Sequence, residues 1–150
     1  MVYQWKTGSR ISGDAQIAGN ICEQLENEGR LSAKTLLDVS RPQNAPLHDN
    51  FEWNDGVAAE KYRENQAREI IRSLVIIPEQ NAPVRSFFKI ENIGNTYQSV
   101  KTILQDEDMT AKLLKTALRE LNALHQKYCA VQNLEKVWAA LSEVEKEALL

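Results

Sequence analysis

Histidine and cysteine, from which most metal centres and nucleophile pairs are built, are nearly missing from this sequence, which has two of each in 150 residues. His48 and His125 have no second ligand at a recognised metal spacing, and Cys22 and Cys129 form no Cys-x-x-Cys, so no metal site is expected. Thiols so far apart give no disulfide framework either, which points to a reducing compartment and makes the cytoplasm the expected location. Glycine is scarce, and neither Gly13 nor Gly19 is followed by Lys-Ser or Lys-Thr, so a phosphate-cradling loop is absent. No apolar run approaches bilayer length and no leader-like start is visible, so no membrane contact is expected. An excess of charge is lacking too. The formal net charge is −3, which offers no global field to draw in nucleic acid.

What charge there is, is unevenly spread. Residues 1–55 hold five Lys or Arg against eight Asp or Glu, residues 101–150 seven against eight, and residues 56–100 six against five. The middle of the chain is therefore the place to look for a basic patch. His48-Asp49, with Glu52 and Asp55 nearby, is the one meeting of an imidazole with an acid cluster, and a polar loop with a helix cap explains the same residues. With no catalytic residue, cofactor site or metal site identified, the chain reads as non-enzymatic.

At 43% hydrophobic and 26% charged residues, the composition is that of an ordinary globular protein. Met1 to Lys6 alternates, with Tyr3 and Trp5 on one side, as a short edge strand would. Asp14 can cap a helix that repeats Ile17, Ile21 and Leu25 and ends at Gly29. Ser32 can cap a second one that buries Leu36, Leu37 and Val39 and stops before Arg41-Pro42. Residues 41–53, with two prolines and no sustained period, read as an ordered loop held down by Leu47, Phe51 and Trp53. Both cysteines fall in stretches that look helical and half buried.

The run from Asn54 to Ile77 organises the rest. Asn54 or Asp55 caps its start, and Ala59, Tyr62, Ala67, Ile70, Ile71 and Leu74 predict a buried side. Lys61, Asn65, Arg68 and Arg72 fall in one line on the opposite side, residue types that touch phosphates and base edges. Glu64 before Arg68 and Glu69 before Arg72 equally suit a solvated helix laced with ion pairs. Val75 to Ile77 then starts a strand, 78–83 makes the turn, and Val84 to Ile90 returns. Alternation sets Val84, Ser86, Phe88 and Ile90 on one face of that strand and Arg85, Phe87 and Lys89 on the other, a basic and aromatic edge able to follow a polynucleotide backbone or to discourage edge pairing. Tyr97, Val100, Ile103 and Leu104 predict a short helix. From Asp106 onward, Leu113, Leu114, Leu118, Leu121, Leu124, Tyr128, Val131, Leu134, Trp138, Leu141 and Val144 form a long apolar stripe. That stripe predicts a long coiled-coil-like helix or a helical hairpin bent near Gln132-Asn133, with more apolar surface than it can hide alone.

The expected fold is thus α+β and predominantly helical, a three-helix core with a β-hairpin in winged-helix order over residues 1–93, followed over 94–150 by a helical extension that serves as an oligomerisation element. One departure is the dozen-residue connection between the second and third helices. Pro46-Leu47-His48, Phe51-Glu52-Trp53-Asn54-Asp55, Ala58-Ala59, Tyr62-Arg63, Gln66-Ala67-Arg68 and Ile71-Arg72 together resemble a pattern in small, mostly uncharacterised proteins of phages and prophages. The resemblance covers most of the chain and implies a phage role in DNA handling, packaging or host interference. Two functions follow as expectations. The first is a cytoplasmic DNA-binding accessory protein, homodimeric through its C-terminal helix, that meets double-stranded DNA with Lys61, Asn65, Arg68, Arg72, Arg85 and Lys89. The alternative is an interaction or assembly protein, or an inhibitor of a host complex, that binds a protein partner.

Overall fold

The computed structural model describes residues 1–55, 59–79 and 82–149. The chain is α+β and predominantly helical, and it divides between Gln105 and Asp106 into two units. Residues 94–105, which the sequence reading attaches to the extension, belong to the first unit.

In the first unit, strand β1 (Tyr3–Trp5) leads to helix α1 (Ala15–Asn27), whose first turn is capped by the Asp14 carboxylate accepting from the Gln16 amide at 2.7 Å. Gly29, at φ +69°, turns the chain out of the helix. The buried line of α1 is not the expected one. Ala15, Ala18, Gly19, Cys22 and Leu25 face inward, Ile21 is half-buried and Ile17 is exposed. The cause is a close approach: the Tyr3 ring lies flat on Gly19, where a Cβ would stand 2.1 Å from Tyr3 Cδ2. Small side chains therefore line the contact, and the larger isoleucine is turned outward.

Helix α2 (Ala33–Val39) starts with a reciprocal cap in which Ser32 Oγ accepts from the Thr35 amide and Thr35 Oγ1 from the Ser32 amide. Leu36 and Leu37 are fully buried as expected, but Val39 is exposed, its place at the helix end taken by buried Ser40 donating to the Leu36 carbonyl. The long connection to the third helix contains an extra turn, a 3-10 segment His48–Asn50, with Leu47 and Phe51 buried on either side of it. The expected cap at Asn54 or Asp55 adjoins residues 56–58, which lie outside the described residues. Helix α3 (Ala59–Ser73) buries Ala67, Ile70 and Ile71, but Tyr62 is 54% exposed and its neighbour Arg63 is the side chain that turns inward.

Strand β2 (Leu74–Ile76) is the centre of a three-stranded antiparallel sheet, with β1 on one side and β3 (Val84–Arg85) on the other. Tyr3 pairs with Ile76 and Trp5 with Leu74, while Val75 pairs with Arg85. The tip expected at 78–83 includes residues 80 and 81, which are not described.

The returning strand corrects the sequence expectation. It breaks at Ser86, whose amide donates to the Leu74 carbonyl of the first sheet while its carbonyl accepts from the Val100 amide. Beyond it, β4 (Phe87–Lys89) pairs with β5 (Tyr97–Ser99) in a second, two-stranded sheet. Alternation is lost at the break, so Ser86 and Phe87 are both buried and Phe87 is not on the outer face with Arg85 and Lys89. Phe87 stacks instead on Tyr3, ring centres 6.0 Å apart. Tyr97, expected in a helix, is in β5, where its amide donates to the Leu31 carbonyl, and helix α4 (Val100–Leu104) begins after it with Ser99 as cap.

The second unit is a helical hairpin. Asp106 caps α5 (Glu107–Tyr128), a 3-10 turn at Gln132–Leu134 reverses the chain where the polar interruption lies, and α6 (Glu135–Ala148) follows. His125 stacks on Trp138 at 4.7 Å, and Asn122 donates to the Glu145 carboxylate across the pair. Among the described residues no helix is long and apolar enough to cross a membrane.

Candidate functional site

The line on α3 exists, but two of its members are already engaged. Lys61, Asn65 and Arg72 are exposed and Arg68 is half-buried. Arg68 Nη1 donates to Asn65 Oδ1 at 2.6 Å, and its Nη2 lies 3.3 Å from Glu64 Oε2. This is the ion-paired arrangement that helical spacing of four allows. The second pair anticipated from spacing does not form: Glu69 reaches Lys6 Nζ at 3.6 Å and accepts from Ser73. Arg72, like Lys61, has no carboxylate within 4.0 Å among the described residues.

On the strands, Arg85 is exposed but occupied, its Nε donating to the Phe87 carbonyl at 2.9 Å and its guanidinium lying 4.9 Å over the Phe88 ring. Lys89, at the end of β4, shares a small cleft with Arg68, Glu64, Ser32, Lys34, Asn95 and Tyr97. Of the six expected contact residues the fold brings Arg68 and Lys89 together there, while Lys61, Asn65, Arg72 and Arg85 do not line it. Lys34 was not anticipated, because nothing local in α2 says that its first turn faces β4. With Glu64 matched by Arg68, the cleft retains the charges of Lys34 and Lys89, an arrangement suited to an anion.

Arg63, Trp53 and His48 build structure. Arg63 is 5% exposed, donates through Nε to the Glu52 carbonyl at 2.6 Å and through Nη2 to Asp55 at 2.8 Å, and lies 5.1 Å over Trp53. Trp53 stacks on His48 at 4.6 Å and donates its indole N–H to the His48 carbonyl. His48 Nδ1 in turn meets the Ser40 carbonyl at 3.0 Å, which requires a proton on that nitrogen. The imidazole is therefore spent on holding the loop to α2. Among the described residues no three His, Cys, Asp or Glu side chains gather as a metal cage.

Neither thiol is half-buried as expected. Cys129 is exposed and Cys22 fully buried. Burial, with Glu26 and Glu23 nearby, pushes the Cys22 thiol up to about 12, so it stays protonated at neutral pH and is a packing group. The Tyr3 phenol is likewise raised, by burial and by its 2.6 Å hydrogen bond to Glu23.

A second surface is apolar. Helix α5 buries no residue fully and α6 only Leu141, while Leu114, Leu121, Leu124 and Tyr128 on α5, and Val137 and Val144 on α6, are 39–49% exposed. Ala111, Leu114, Leu118, Ala148 and Leu149 form the walls of an open groove between the two helices, with Lys115 and Glu145 beside them. Comparison with known protein families, with curated proteins and with solved structures found no match.

Proposed function

We propose that the chain is a non-enzymatic interaction or assembly protein that works through its C-terminal hairpin, in the phage or prophage setting implied by the resemblance of residues 46–72, and in the host cytoplasm. Self-association through the same hairpin is part of this reading. The observation that carries it is the row of large apolar side chains left open on α5 and α6 of a unit with one buried apolar residue among those described. Contiguous exposed apolar surface of this kind marks association sites on soluble proteins. The net charge of −3 and the engagement of Arg68 and Arg85 within the chain favour a protein over a polynucleotide.

The reading is tested with the full chain as bait in host lysate treated with nuclease, beside a Leu121→Asp/Leu124→Asp variant. A partner that survives nuclease and is lost with the variant supports it. Capture that disappears with nuclease, or that the variant retains, rejects it.

A second reading, a DNA-binding accessory protein, is favoured by one observation, the meeting of Lys34, Arg68 and Lys89 in one cleft beside the open side of α3. Lys61, Asn65, Arg72 and Arg85 would flank it on the duplex. Fluorescence titration of a random duplex at two ionic strengths tests this. Arg68→Ala with Lys89→Ala should lower affinity at low salt by roughly tenfold or more and reduce the salt slope by about two. No binding at low salt, or a variant that binds like the parent, rejects the reading.

A further inference from the structure

The exposed row on α5 has an order that specifies its own partner. Leu114, Ala117, Leu121, Leu124 and Tyr128 follow one another by three, four, three and four residues, and all five are exposed on α5. That is the repeat of a coiled-coil seam; Leu114 borders the groove towards α6, and the other four stand apart from the side of α5 that packs on α6 through Asn122 and His125. Just outside the row lie two exposed charges of opposite sign one heptad apart, Glu120 and Lys127, the latter with its Nζ 5.0 Å over the Tyr128 ring.

From this we infer that the occupant of the seam is α5 of a second copy, running antiparallel, with Leu121 of each copy against Leu124 of the other. The inference rests on the reading of the hairpin as an association surface and names what covers it. In this register the small Ala117 faces the large Tyr128 of the second copy on both sides of the centre, so the four layers from Ala117 to Tyr128 are filled without a void, and Leu114 lies past the end of the second copy's α5. Glu120 of each copy then faces Lys127 of the other, twice by symmetry. Sliding the helices by one heptad in one direction sets Glu120 against its own counterpart, and in the other direction sets Lys127 against its own. Like charges therefore disfavour both neighbouring registers while opposite charges favour the central one, which is how flanking residues set alignment in paired helices.

The test is the dimerisation constant of the full chain by sedimentation over a wide concentration range, for the parent, Glu120→Lys, Lys127→Glu and the double reversal. The parent should be dimeric. Each single reversal converts two attractive contacts into two repulsive ones and should weaken the dimer roughly tenfold, and the double reversal should restore it to near the parent value. Circular dichroism, taken at a concentration where all four are dimeric, should be the same, since both positions are on the solvent side of a helix. A monomeric parent at every concentration overturns the inference, as does a dimer indifferent to either single reversal or one that the double reversal fails to rescue. The two readings separate cleanly. A monomer that still captures a nuclease-resistant partner through Leu121 and Leu124 sinks the second copy and leaves the interaction protein standing, whereas a charge-sensitive dimer without other partners keeps the second copy and removes the external partner from the reading.

Discussion

Arg63 shows how far a single side chain can depart from its sequence neighbourhood. It sits among Lys61, Glu64 and Asn65 in a polar run, yet it is the one charged residue of α3 that is buried. What allows this is complete use of the guanidinium: the Glu52 carbonyl, the Asp55 and Glu60 carboxylates and the Trp53 face each take part of it. A planar fork with several donors can be satisfied in such a place where an ammonium cannot. Arg63→Ala should therefore cost about 2–3 kcal/mol, read as a lower urea midpoint with unchanged slope, and Arg63→Lys should recover less than half of that. If Arg63→Ala unfolds at the parent midpoint, the loop 48–55 is held by its aromatic residues and by the bonds of His48, Asn50 and Glu52 without need of Arg63.

Between elements, the decisive contact is β1 on α1. The Tyr3 ring replaces the space that a side chain at Gly19 would fill, and the same ring continues the core through its stack on Phe87. Gly19→Ala gains helix propensity within α1, but its methyl group collides with an aromatic ring clamped on its far side and by its hydroxyl bond to Glu23. Overpacking wins, and the variant should lose about 1–3 kcal/mol, measured as a fall in the thermal midpoint. A variant as stable as the parent would mean that β1 can lift from the helix without loss. The switch at Ser86 is an arrangement of the same scale. One residue serves two sheets through its amide and its carbonyl, which is why a strand of seven alternating residues becomes two short ones.

Across the whole molecule, the division of apolar burial is one-sided. Every buried apolar side chain of the described residues except Leu141 belongs to the unit Met1–Gln105. A chain ending at Gln105 should accordingly keep a single cooperative unfolding transition, whereas residues 106–150 alone at low concentration should show little stable helix, because so small a hairpin buries too little to offset its ordering. Circular dichroism over a dilution series checks both, and a fully helical dilute hairpin would count against the seam as its source of stability. Much of this organisation was legible in the order of residues, because it is written locally. The caps at Asp14 and Ser32, the stop at Gly29, the amphipathic α3 and the surplus of leucine after Leu113 each depend on residues within a few positions of one another. The rest depended on distant parts of the chain meeting: Tyr3 on Gly19 turned Ile17 outward, Leu74 and Val100 claimed opposite sides of Ser86, Trp53 and Asp55 drew Arg63 inward in place of Tyr62, and α2 set Lys34 beside Arg68 and Lys89. Spacing along the chain determined which side chains share a face; which face is covered was decided only in three dimensions, since burial is a property of what packs against a surface and not of the surface itself.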